Sequence, residues 1–166
     1  MIRRFVLASA ILIAAGSAAP AMAGTATSNL TVSSNVPHSC TISTDPLNFD
    51  DYDPITGPNA TGTGTVTVVC SSGTSATITL GQGSNPQAAS TDAIPLRRLK
   101  LGTNYLSYAL YQNNTYSEIW GNTAGTGASH TGTGSASDVT VYGVIPGTQN
   151  VPPGSYSDTV VATVSF

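Results

Sequence analysis

From Ala26 to Ile42 the even positions carry Ala26, Leu30, Val32, Val36, Cys40 and Ile42, while the odd positions are mostly Thr, Ser and Asn. A period of two is the pattern of a half-buried strand. The run is too long for one strand. Pro37, which has no amide to donate, divides it into an extended piece from Gly24 to Val36 and a second from His38 to Ser43. Leu47–Tyr52 is a short apolar and aromatic piece that runs into turn signals at Asp53-Pro54 and Gly57-Pro58.

Two further strands are expected at Thr63–Cys70 and Ser75–Gly81, joined at Ser71-Ser72-Gly73, with Val66, Val68, Cys70, Ala76, Ile78 and Leu80 on one parity. Leu96–Leu101 and Asn104–Gln112 bracket Gly102-Thr103 as a tight hairpin, and Tyr116–Trp120 reads as a shorter strand. Gly121–Ser137, almost all Gly, Thr, Ser, Ala and Asn, reads as a loop; Val139–Ile145 resumes the alternation. In the last run Tyr156, Val160, Ala162, Val164 and Phe166 face one way, and Ser157, Thr159, Thr163 and Ser165 the other. Short strands at this spacing predict an all-β chain, an immunoglobulin-like or Greek-key β-sandwich.

Composition agrees with a single domain that folds: 166 residues, 40% hydrophobic and only 8% charged, with 17 glycines and 10 prolines as punctuation. Five Lys and Arg against eight Asp and Glu cannot neutralise a run of phosphates, so nucleic acid is excluded as a partner.

Arg3 and Arg4 precede an apolar stretch from Phe5 to Ala15, and Ala21-Met22-Ala23 supplies the small residues a signal peptidase reads. Residues 1–23 are therefore expected to be a secretory signal. The apolar run falls short of the roughly 20 residues that cross a bilayer, and no transmembrane segment is expected after signal removal. Export implies an oxidising compartment, where the two cysteines, Cys40 and Cys70, are expected to pair. The bond closes a loop of about 30 residues.

Candidate chemistry is sparse. Asp50, Asp51 and Asp53 offer hard oxygen ligands, but their spacing is not that of an EF-hand, and Asp before Pro54 is ordinary turn chemistry. His38 and His130 accompany no Gly-x-Ser-x-Gly elbow, and no catalytic residue, metal or cofactor is assigned. Gly62, Gly64, Gly81 and Gly83 read as turns or bulges, since neither a helix nor a Lys follows them as in a phosphate loop. Arg97, Arg98 and Lys100 read as a solvated strand face that discourages aggregation. Tyr105, Tyr108, Tyr111, Tyr116 and Trp120 leave open a second function, a secreted carbohydrate-binding adhesin, with some of these rings in the core.

The ends carry the unusual feature. An alternating strand precedes Cys40, and an apolar strand ending at Phe166 has only Asp158 to protect its edge. Copies could therefore join head to tail, each lending a strand.

The pieces His38–Ser43, Leu47–Phe49 followed by Tyr52–Pro54, Gly64–Val68 leading to Cys70, Ile119–Gly121, Val141–Pro146, Gln149–Val151 and Pro153–Val160 occur in an order and spacing that resemble the spore coat protein U domain family, which includes the pilins of archaic chaperone-usher pili. Asp50 departs from the pattern, which tends to place Gly there. The resemblance implies an incomplete sandwich, held by a periplasmic chaperone, polymerised at an outer-membrane usher and completed by donor-strand exchange. It implies a non-enzymatic fibre or coat subunit exported through the periplasm to the cell surface, with copies of itself or related pilins as partners. On that template residues 24–36 are the donor, through Leu30, Val32 and Val36, and residues 37–166 are the sandwich domain. The acceptor groove and chaperone-binding strand carry Val160, Ala162, Val164 and Phe166.

Overall fold

A computed structural model describes residues 22–166; the expected signal, residues 1–23, lies almost wholly outside the described residues. The chain falls into two units, divided between Asn35 and Val36. In the first, the described residues carry no strand, and Leu30 and Val32 are 87% and 85% exposed. Alternation sets which side chains share a face. A strand forms only where a neighbour takes up the backbone amides and carbonyls.

The second unit is all-β, with no helix among the described residues. Its strands are β1 (Cys40–Phe49), β2 (Ala60–Cys70), β3 (Ser75–Leu80), β4 (Arg97–Leu101), β5 (Asn104–Tyr111), β6 (Ala128–Thr131), β7 (Ala136–Ile145) and β8 (Ala162–Ser165). They form two sheets, ordered β1-β2-β7-β5-β4 and β6-β3-β8, and every pairing is antiparallel. The core between them includes Val66, Val68, Ile78, Leu80, Leu106, Tyr108, Leu110, Val141 and Ile145, one parity from each of β2, β3, β5 and β7, together with Trp120. The parity read from Val66 to Leu80 is the buried one.

Several elements differ from the sequence reading. The two expected pieces His38–Ser43 and Leu47–Tyr52 merge in part into one strand, β1 (Cys40–Phe49), whose pairing with β2 slips by one residue between Asp45 and Asn48. That bulge absorbs Pro46, which cannot donate to the ladder. Tyr116–Trp120 is not a strand: only Ile119 makes a bridge, to Tyr111. The polar stretch 121–137 contains β6 and the start of β7, because pairing with β3 and β2 decides strand formation where hydrophobicity gives no signal. The last run is extended, but only Ala162–Ser165 is paired as a strand.

Of the two readings of Gly62 and Gly64, turns or bulges, the structure favours the second, since both lie beside the β1 bulge. They lie in β2 beneath Leu47, and a Cβ on Gly64 would stand 2.9 Å from that of Leu47. Asp50, where the family tends to place Gly, does not take a positive φ, so its backbone needs no glycine.

Candidate functional site

β1 ends one sheet and β8 ends the other, so each has one edge without a paired strand. The two edges border the same side of the sandwich. Between them lies a cavity of 310 Å³, lined on one border by Thr44, Asp45, Pro46, Leu47 and Phe49 and on the other by Asp158, Thr159, Val160 and Ala162. Its floor is Val66, Leu80, Leu110 and Val141, all core residues.

A second cavity of 730 Å³ shares Leu47, Phe49 and Leu99 with the first and continues past Asp50 on one border and Tyr156 on the other. A third, of 290 Å³, lies between His38 and Phe166. All three follow one another along both borders, from His38 to Asp50 on the first and from Phe166 back to Pro152 on the second. The borders therefore run antiparallel to each other. A strand laid between them is parallel to one and antiparallel to the other, with free amides and carbonyls on both sides.

Of the residues assigned to the acceptor edge, Val160 and Ala162 line the first cavity and Phe166 the third. Val164 packs on the core beside them. They alternate with exposed Thr159, Val161, Thr163 and Ser165, as the sequence pattern requires. Val160, Ala162 and Val164 are only half-buried, and Phe166 is 58% exposed. Leu47, Phe49 and Leu99 on the facing side are also half-buried. Among the described residues, no strand pairs with the free edges that flank this apolar layer.

Cys40 and Cys70 are direct partners in the β1–β2 register and are joined by a disulfide. The bond fixes the first residue of the β1 border to the core strand. Beside it, Nδ1 of His38 is 2.9 Å from Oγ1 of the buried Thr74, whose hydroxyl also meets that of Ser71 at 2.7 Å. Val36, the last residue assigned to the donor, begins the second unit and is 83% exposed.

The polar wall of the groove was not legible as a site. Asp158 accepts the Tyr108 hydroxyl through Oδ2 at 2.7 Å, and through Oδ1 the Ser84 amide at 2.9 Å and the Asn85 side chain at 3.0 Å. Burial, then the bond to Asp158, pushes the Tyr108 phenol well above its ordinary range.

Arg97 is not on a solvated face, as its charged neighbours suggested. It is 1% exposed and donates to the carbonyls of Leu80, Gly81 and Trp120, each at 2.8 Å. Burial pushes its guanidinium down to about 10. Parity was the available signal: Arg97 and Leu99 point inward, whereas Arg98 and Lys100 lie over the Tyr105 ring, at 4.0 and 5.8 Å.

The remaining candidates resolve into structure. Asp53 is a turn residue whose carboxylate accepts the Ile55 and Thr56 amides and the Thr56 hydroxyl, which together lower its pKa. His130 is in β6 rather than in a loop. Of the five aromatic candidates, Tyr108 and Trp120 are in the core, and Trp120 donates to the Ile78 carbonyl.

The model of the Spore Coat Protein U domain family matches residues 26–163. The chain belongs to this family. Protein U of Myxococcus xanthus is 48% identical over 158 residues, covering 89% of this chain and 88% of the relative. Among solved structures, the chain is similar to the CsuC–CsuE chaperone–tip adhesion subunit pre-assembly complex from archaic chaperone-usher Csu pili of Acinetobacter baumannii. The TM-score is 0.58 at 22% identity, over 79% of this chain and 40% of that one. The chain thus spans about two fifths of that solved chain, and at this identity the likeness establishes the fold alone, an immunoglobulin-like β-sandwich. No helix among the described residues is long and apolar enough to cross a membrane.

Proposed function

We propose that this chain is a non-enzymatic structural subunit of a bacterial surface fibre or coat, assembled by donor-strand exchange. The observation that carries the reading is the groove between the two terminal strands, β1 and β8, which overlies core residues and has an unpaired strand edge on each side. Residues 24–36 are the donor, residues 37–166 the acceptor domain, and residues 1–23 the export signal removed beforehand. The partners are a periplasmic chaperone that occupies the groove after export, an outer-membrane usher, and further copies or related subunits. The mature subunit ends at the cell surface.

The donor suits the groove in chemistry. Leu30, Val32 and Val36 share one parity, with Thr31, Ser33 and Asn35 on the other, and residues 24–36 carry no charged side chain that would have to be desolvated. Burying each of the three contributes about 1.5 to 3 kcal/mol as an upper range, and each new backbone hydrogen bond about 0.5 to 1.5 kcal/mol net. Ordering a short segment costs on the order of 1 to 2 kcal/mol per residue, so exchange is favourable only into a groove that already exists.

Deletion of residues 24–36 tests the reading. The deleted subunit is expected to be recovered bound to its chaperone and to add no further subunit. Fibres of normal length from the deletion would refute it.

A further inference from the structure

The outer face of the five-stranded sheet carries a further cavity, which meets the groove along the β1 rim at Pro46, Asn48 and Asp50. Asn48, Thr63, Tyr142 and Tyr111 are successive partners across β1, β2, β7 and β5 and so point to one side. Leu110 and Val141, of opposite parity, are buried in the core, so that side faces outward. Above this row lies a polar cavity of 340 Å³, whose lining includes Asn48, Asp50, Thr61, Thr63 and Tyr116.

Two irregular backbone features converge on it. One is the β1 bulge, which brings Pro46 and Asn48 to the rim, with Gly62 opposite; a Cβ at Gly62 would collide with the Asn48 carbonyl. The other is Tyr116, which has φ +53°, an unusual conformation for a bulky residue. The loop is built to hold it there. The Tyr116 amide donates to the Asn113 carbonyl at 3.2 Å, and the Asn113 side chain accepts the Ser117 amide at 3.1 Å and donates to the Ser117 hydroxyl at 3.0 Å. The residue is 38% exposed, and its ring packs in a T-shaped pair with Tyr111, with centroids 5.7 Å apart. Strain concentrated where a ring is presented points to a use for that ring.

We propose that this cavity binds a neutral saccharide. The Tyr116 ring offers a face on which the C–H side of a pyranose packs. Around it, Asp50 accepts hydroxyl protons, Asn48 both donates and accepts, and Thr61 and Thr63 supply hydroxyls. Size agrees, since small-molecule sites begin at roughly 300 Å³. Charge sets the class of sugar: the lining holds one carboxylate and no cation, so uronic acids, sialic acids and phosphates are repelled. Tyr105, an exposed aromatic of the β4–β5 hairpin, is already covered by Arg98 and offers no such face.

The test uses the full exported chain, with cellobiose, lactose and chitobiose as neutral probes and glucuronate as the anionic one, read by saturation-transfer NMR and calorimetry. At least one neutral disaccharide is expected to bind, with saturation strongest on ring C–H protons, and glucuronate is expected to bind more weakly. Tyr116→Ala is expected to weaken binding by about tenfold and Tyr116→Phe to retain it. Thr63→Ala, which leaves the Tyr116 loop untouched, is a second variant expected to weaken binding. Absence of binding by all three neutral probes, equal binding of glucuronate, or full affinity in both Tyr116→Ala and Thr63→Ala would overturn the proposal. None of these readouts depends on subunit assembly.

Discussion

The Tyr108 hydroxyl donates to Asp158 Oδ2 at 2.7 Å, and this bond ties β5 of the larger sheet to the segment that leads into β8. Both residues line the groove, so one of its walls is held by a polar network as well as by apolar packing. Asp158 also satisfies the Ser84 amide and the Asn85 side chain. Asp158→Ala leaves these donors without their acceptor and is expected to destabilise the subunit by about 2 to 3 kcal/mol, whereas Asp158→Asn costs less because one amide oxygen still accepts. Urea denaturation of the two variants beside the parent checks the order.

The same pair gives a pH dependence with a definite sign. The folded state holds the Tyr108 proton above the ordinary tyrosine value of 10.0, while the unfolded chain releases it there. The folded state then binds more protons than the unfolded one, so the Tyr108 contribution to stability is complete below pH 10.0 and is lost as pH rises beyond it. Arg97, pushed down to about 10 by burial, has the opposite sign over the range up to its ordinary 12.5. Comparing Tyr108→Phe with the parent isolates the tyrosine: the parent is expected to lose stability relative to the variant as pH rises above 10.0. A constant difference between the two would contradict this.

Arg97 holds three backbone carbonyls from β3, its following turn and the Trp120 segment. Arg97→Met removes the donors and leaves those carbonyls buried, with an expected loss of about 3 kcal/mol or more. Arg98→Met, which gives up stacking on Tyr105 and bonds to the Asn85 and Pro86 carbonyls, is expected to cost about 1 kcal/mol. Thermal unfolding of both variants distinguishes the buried arginine from its half-exposed neighbour.

These residues also mark how far the sequence could be read. The β2 and β3 parity from Val66 to Leu80, the hairpin at Gly102-Thr103, and the alternation of Val160, Ala162 and Val164 were legible because period-two hydrophobicity is written in the chain itself. The 128–131 strand was not, because Ala128, Ser129, His130 and Thr131 carry no such signal and their pairing with β3 decides the matter. Arg97 was misread since three cations in four residues look like a solvated face, although its parity with the apolar Leu99 was written in the chain. The family resemblance implied an acceptor groove along the C-terminal edge, where a cavity lies, but the Asp158–Tyr108 wall of that cavity joins residues 50 apart and has no local signature.

The disulfide joins paired positions at the start of the β1 border and the end of β2. Reduction, or Cys40→Ala with Cys70→Ala, is expected to lower stability by about 3 to 4 kcal/mol in the chain-entropy account and to reduce the yield of exported subunit. An unchanged melting temperature under reducing conditions would count against this role.

The central claim is that residues 24–36 of one copy fill the groove of another. A photo-activated cross-linker placed at Val32 of the full chain, within assembled fibres, tests it most directly. The account predicts cross-links between two different copies, at Thr44–Phe49 on one border or Asp158–Val164 on the other. Cross-links confined to a single copy, or falling on the outer sheet face, would contradict it.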